Sequence, residues 1–281
     1  MDRPCGARQT GKLPARSIIS FPPMVRPFTL DVAFLPVEVG QRPRSAAVVI
    51  DVLRASSSII TLFDRGCASI GVADSVNAAR AAAATFAARG QAVPLLCGEV
   101  GGLAPYGFDY GNSPSEFAGL DLAGRHVVMA TTNGTRALHA AAEAGATLVG
   151  ALLNANAVVR RALELVAQLD EVLLVCSGRA GRFVLDDAVT AGYLCHVLLS
   201  EAKVRGLPVN QSNSAIAAYR LYHSFPNLLA ALNESDSARA LHSIRLGGDV
   251  AYCARASLSK TVPELVASSA NTEDPHGLYV L

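Results

Sequence analysis

The sequence predicts an α/β protein, a layered, mostly parallel sheet flanked by helices. Short Val/Ile/Leu-rich runs alternate with Ala-rich amphipathic stretches, the pattern of β-α units. The apolar runs are nearly continuous, as in strands buried on both faces. Gly90 and Gly145 fall where helices over 75–89 and 135–144 need C-terminal caps.

Taken in order, a first strand is expected over 29–35. Further strands follow at 46–52, 69–72, 93–97, 126–130, 147–149 and 172–176. Helical patterns occupy 56–65, 75–89, 135–144, 155–168 and 186–201. Beyond about residue 205 the pattern loosens. Helices are expected at 212–221 and 226–243, and Leu246-Gly-Gly-Asp249 reads as a turn before a last short helix. Residues 1–27 carry Arg3, Arg8, Lys12, Arg16 and Arg26 against Asp2, and their apolar stretch is broken by Pro22 and Pro23. That stretch does not suit a signal peptide. A disordered extension is expected over 1–27, with Met24 an alternative start. The main domain is expected over 28–281, with the part from about 205 a possible second lobe.

Composition excludes several classes. The 281 residues carry a net charge of +1 and 6% aromatics without Trp. A nucleic-acid or membrane-surface partner needs a basic excess on one face, which is missing. No run approaches the roughly 18 apolar residues of a membrane span. The six cysteines are far apart, with no C-x-x-C pair, so a reduced, cytoplasmic setting is expected.

Three strands run through polar or glycine-containing segments into helices: Asp51-Val-Leu-Arg54-Ala-Ser-Ser57, Thr131-Thr-Asn-Gly-Thr135 and Cys176-Ser-Gly-Arg-Ala-Gly-Arg182. Such segments gather at the carboxyl edge of an open sheet, where helix N-termini favour anions. Asp51 needs a partner or a metal at the end of an apolar strand. Arg54 either pairs with it, with Ser56 as a helix cap, or grips a phosphate. Glu99 follows another apolar strand directly, between glycines. Asp109 is either a supporting carboxylate or part of a surface loop that turns at Asn112-Ser-Pro. Thr131, Thr132, Asn133, Gly134 and Thr135 offer more donors than a helix cap needs. Cys176 and Arg182 have the Cys-x5-Arg spacing of cysteine phosphatases, without the flanking His and Ser/Thr; the other reading of Cys176 is a buried thiol. Asp186 and Asp187 suit a helix start, and one of them is also a candidate metal ligand.

Together, Ile50-Asp-Val-Leu-Arg-Ala-Ser-Ser, Gly98-Glu, Gly107-Phe-Asp-Tyr-Gly-Asn-Ser-Pro, Thr131-Thr-Asn-Gly-Thr-Arg-Ala and Cys176-Ser-Gly-Arg-Ala-Gly-Arg-Phe resemble the successive motifs of the 2-phosphosulfolactate phosphatases, in order and over about residues 30–265. Gly247-Gly-Asp249, Cys253 and Val262-Pro263 fit too. Ser57 and Tyr110 depart from the usual Thr and Leu. The resemblance implies Mg²⁺-dependent hydrolysis of 2-phosphosulfolactate, in the route to coenzyme M where that is made, and a homodimer. On this reading Asp51, Glu99 and Asp187 hold Mg²⁺, and Asp51, Glu99 and Arg54 are catalytic. Arg54, the 131–135 segment, Ser177 and Gly178 bind a small doubly anionic substrate. The alternatives are a metal-free phosphatase built on Cys176 and Arg182, or a non-catalytic anion-binding protein.

Overall fold

A computed structural model describes residues 26–266 together with Tyr279 and Val280. The extension expected over 1–27 therefore lies almost wholly outside the described residues. The strands divide between two sheets instead of forming one. The first contains β1 (Phe28–Ala33), β2 (Ser45–Ile50), β6 (Ala146–Gly150), β7 (Glu171–Cys176) and β8 (Val209–Gln211), all parallel, in the order β6-β2-β7-β1-β8. The second contains β3 (Ser69–Ala73), β4 (Leu95–Gly98), β5 (His126–Ala130) and an antiparallel β9 (Tyr279–Val280), in the order β4-β5-β3-β9.

Strand alternation explains the layers. Val48, Ile50, Val172 and Leu174 face one core, packed under α5 (Ala155–Leu165), α6 (Leu185–Val204) and α7 (Asn213–His223). Their neighbours Ala47, Val49, Leu173 and Val175 face the opposite way. There they share a second core with Ile70, Val72, Val127 and Met129 of the other sheet. Residues of α1 (Ala55–Asp64) and α4 (Thr132–Ala141) fill it. The far side of the second sheet is covered by α2 (Val76–Ala88), through Ala79 and Ala82. Both sheets are thus buried on both faces, which is why their strands read as unbroken apolar runs.

Register fixes what stands at the carboxyl edge. Ile50 pairs with Cys176, so Asp51 and Ser177 emerge side by side, and the Ser177 N–H donates to Ile50 O. Gly98 pairs with Ala130, so Glu99 and Thr131 emerge together from the second sheet.

Several expected elements differ. The long helix over 226–243 is two, α8 (Leu228–Asn233) and α9 (Asp236–Ser243), because Asn227 and Ser235 each cap a new start. The expected turn at 246–249 runs into a helix, α10 (Gly247–Cys253), which already contains Asp249. Helix α4 begins at Thr132 rather than Thr135, turning the polar segment into a helical first turn. Between β4 and β5 a short helix, α3 (Pro114–Phe117), is capped by Ser113.

Candidate active site

One cleft gathers the ends of both sheets. Its walls include Asp51, Arg54, Glu99, Asn112, Thr131, Asn133, Gly178, Arg179, Asp186, Asp187 and Ser237. It encloses about 90 Å³, room for on the order of six waters or a compact anion.

The carboxylates come from three places. Asp51 ends β2 and accepts the Ala55 N–H at 3.4 Å. Glu99 ends β4, and its Oε2 accepts the Gly102 N–H at 2.7 Å. Reaching that position requires Gly98 at φ +150°, tight against Ala130. Asp186 and Asp187 open α6 and are buried. Asp187 is clamped by the N–H groups of Val52 (3.0 Å) and Gly178 (3.1 Å), which ties β2 to the loop after β7. Asp186 accepts the Ser237 hydroxyl at 3.2 Å.

Crowding acids into one enclosed space raises all three aspartates. Burial, then the neighbouring Asp186, pushes Asp51 up to about 7. Burial raises Asp186 to about 6, against hydrogen bonds that favour its ionised form. Asp187 stands well above the carboxylate range, through burial and then Asp186 and Asp51. Such groups hold like charges together only when a cation or a proton joins them.

Arg54 does not pair with Asp51, the partner considered from sequence. Its Nη1 donates to Asp249 Oδ2 at 2.8 Å and its Nη2 to Gly102 O at 2.7 Å. Asp249 also accepts the hydroxyls of Ser113 (2.7 Å) and Ser115 (2.5 Å). Ser56 is not the helix cap either; Arg54 occupies that position, and the Ser56 hydroxyl accepts the Asp51 N–H at 2.9 Å. Asp109 supports a strand rather than the cleft, accepting the Leu96 N–H at 2.8 Å.

The Thr131–Thr135 segment splits. Thr131 and Asn133 line the cleft, and Thr131 caps α4 without using its side chain. The helix's first N–H groups are therefore left without a side-chain cap. Thr135 turns inward, donating to Thr131 O (2.5 Å) and Ala73 O (3.2 Å), and Gly134 packs against Ala55. The side chain of Thr132 lies outside the described residues. Ser177 is buried behind the wall, its hydroxyl without a partner among the described residues. Gly178 lines the cleft, but its N–H is spent on Asp187.

Cys176 faces the outer core. Burial, then Asp187, holds its thiol well above its ordinary value. A nucleophilic cysteine needs the opposite shift.

Of the polar wall residues, Asn112, Arg179 and Ser237 are not marked as site residues by the sequence, and Asp186 is marked only as an alternative to Asp187. Asp186 was visible only as one of two adjacent acids, and helical rotation between neighbours decides which faces where. Arg179 lies inside the Cys176–Arg182 motif, whose spacing marks only its first and last residues. Ser237 belongs to α9, far along the chain, and no local pattern marked it.

The chain resembles proteins already described. The family model of 2-phosphosulpholactate phosphatase matches residues 35–268. A probable 2-phosphosulfolactate phosphatase of Thermus thermophilus is 40% identical over 78% of this chain and 86% of the relative. One from Deinococcus radiodurans is 40% identical over 78% and 87%, and one from Carboxydothermus hydrogenoformans 34% identical over 84% and 92%. With the motif-bearing ends of both sheets meeting in one acidic cleft and the match spanning nearly all of the described chain, this protein belongs to the 2-phosphosulfolactate phosphatase family.

Proposed function

We propose that this phosphoric monoester hydrolase is Mg²⁺-dependent and converts 2-phosphosulfolactate, or a closely related phosphorylated 2-hydroxy acid, to the free hydroxy acid and phosphate. The observation that carries the reading is the imbalance of charge in the cleft. Four carboxylates line it against two guanidinium groups, one of which Asp249 already neutralises. Once these acids ionise, a phosphate would be repelled from such a wall unless a divalent cation joins them.

The donors fit a hard ion, being all oxygen. Among the described residues no three His, Cys, Asp or Glu side chains form a ready-made metal cluster. Mg²⁺ is usually held by one or two carboxylates with waters and substrate oxygens, so it needs no preformed cluster. Asp51 and Glu99 would hold it, with Asp187 or its neighbour Asp186 behind them. When bound, the ion supplies charge neutralisation at the phosphoryl oxygens.

The chain's own groups do the rest. The uncapped first turn of α4 directs N–H groups and a positive dipole end at an anion. Thr131 and Asn133 add side-chain contacts, and the unspent N–H groups of Arg54 remain available to a phosphate. Asp186, raised to about 6 and facing the cleft, is fitted to take a proton from attacking water. A homodimer in the cytoplasm, in a route that makes or uses sulfolactate, belongs to the same proposal. Sedimentation would check the dimer. No helix among the described residues is long and apolar enough to cross a membrane.

Phosphate release from 2-phosphosulfolactate, with Mg²⁺ or EDTA, tests the reading, together with Asp51→Asn. Turnover should require the ion and fail in the variant while the fold persists. Turnover in EDTA, or a fully active Asp51→Asn, would overturn the metal assignment. Saturable binding without phosphate release would make the chain an anion-binding protein.

A further inference from the structure

We propose that Arg179 selects the substrate, by gripping the sulfonate at the rim of the cleft; this rests on the phosphatase reading above. Two guanidinium groups line the cleft. Arg54 is buried and bound to Asp249 and Gly102, so its charge is largely cancelled where it stands. Arg179 is exposed along the same wall and has no ion-pair partner within 4 Å among the described residues. Arg182, three residues on, is exposed as well but does not line the cleft.

The backbone under Arg179 is anchored on several sides. Arg179 and Arg182 exchange both backbone hydrogen bonds, at 2.9 and 3.0 Å. Gly178, at φ +61°, gives its N–H to Asp187, and a side chain there would strike Arg182 O at 2.6 Å. The Ala180 N–H donates to Asn133 Oδ1 at 3.4 Å, in the first turn of α4. The turn is therefore tied to both α4 and α6, the two helices whose starts line the cleft, which limits how far the guanidinium stem can wander.

Substrate chemistry decides which group it reads. In 2-phosphosulfolactate the carboxylate shares a carbon with the phosphoester and stays close to it. The sulfonate lies one carbon further out, in position to reach the rim. A guanidinium fork grips two of the three sulfonate oxygens with two parallel N–H bonds. Such a contact corresponds to about tenfold to a hundredfold in affinity.

The test is competition calorimetry of the full chain in Mg²⁺ with 3-sulfolactate and with lactate, which differ only by the sulfonate. Wild type should prefer 3-sulfolactate by at least about tenfold. Arg179→Gln should bind the two alike, and Arg179→Lys should keep part of the preference. An Arg179→Gln protein that retains the wild-type preference, or a wild type with none, overturns the proposal. Phosphate release by wild type is scored separately. Arg179-dependent binding without any hydrolysis would sink the phosphatase reading and leave this inference standing.

Discussion

Replacing Asp249 by Asn probes the joint on which the Arg54 side of the cleft hangs. The Arg54–Asp249 pair is 3% and 1% exposed and spans 2.8 Å, so neither charge has water to fall back on. Asparagine keeps the shape and still accepts from Ser113 and Ser115, but it turns a donor toward the guanidinium. Removing one partner of a buried pair costs about 3–5 kcal/mol, because the other charge is left uncompensated. In a chain of this size each kcal/mol lowers Tm by about 2–4 °C, so a fall of roughly 10 °C is expected. The companion Arg54→Met/Asp249→Leu removes both charges. It should regain most of that loss, short of what Ser113 and Ser115 forfeit with their acceptor. Its turnover should nonetheless stay low, since Arg54 also lines the cleft. Denaturant unfolding at pH 7.5 and phosphate release read the two effects apart. An Asp249→Asn protein that melts with wild type, or a double variant no more stable than the single one, would refute the reasoning. A fully active double variant would remove Arg54 from the chemistry.

Three further outcomes follow from the same site. Asp51 and Asp186 have folded-state values near 7 and 6, above the ordinary carboxylate range near 4, so they bind protons more tightly in the folded chain. The stability this contributes is complete below about pH 4 and lost as pH rises through about 6 and 7. Asp51 faces Asp186 across the cleft, with Glu99 and Arg54 nearby, and Asp187 adds to the repulsion. Metal-free protein should therefore melt lower at pH 8 than at pH 5, and Mg²⁺ should raise Tm more at pH 8; equal shifts at both would contradict the assignment. Cys176→Ser should keep wild-type turnover in Mg²⁺, since the thiol is buried and held well above its ordinary value; loss of activity in a variant that melts normally would restore the cysteine mechanism. Gly98→Ala would place a methyl 2.5 Å from Ala130 O at φ +150°, so Glu99 must move. Circular dichroism should report about 1–3 kcal/mol of destabilisation and the phosphate assay a loss of turnover, with neither change expected only if the backbone there relaxes freely.

What the sequence made legible, and what it hid, follows from the range of the interactions involved. Strands such as β7 announced themselves because burial on both faces leaves an unbroken apolar run. Asp51, Glu99 and Thr131 were legible because a polar residue at the end of such a run has few structural reasons to be there. The division into two sheets was not legible: β4 and β7 carry the same local pattern, and only pairing decides which sheet each joins. Asp249 was hidden for a similar reason. Its meaning comes from Arg54, 195 residues away, and Ser113 and Ser115, 136 and 134 away. A local reading sees only a glycine turn there.

That same long range explains why the cleft is built as it is. Helix α6 brings Asp187 to the amides of Val52 and Gly178, binding the first sheet's carboxyl edge together, while α10 brings Asp249 to the Arg54 and Ser113 loops beside the second sheet. Each of these carboxylates is spent on backbone or on a buried partner. Asp51, Glu99 and Asp186 are left lining the cleft. A fold governed by stability alone would have no reason to hold three such acids together, with two of them raised toward neutrality. On the proposed reading, a divalent cation and a phosphate would join these acids, and Arg179 at the rim would receive the negative charge the substrate carries beyond its phosphate.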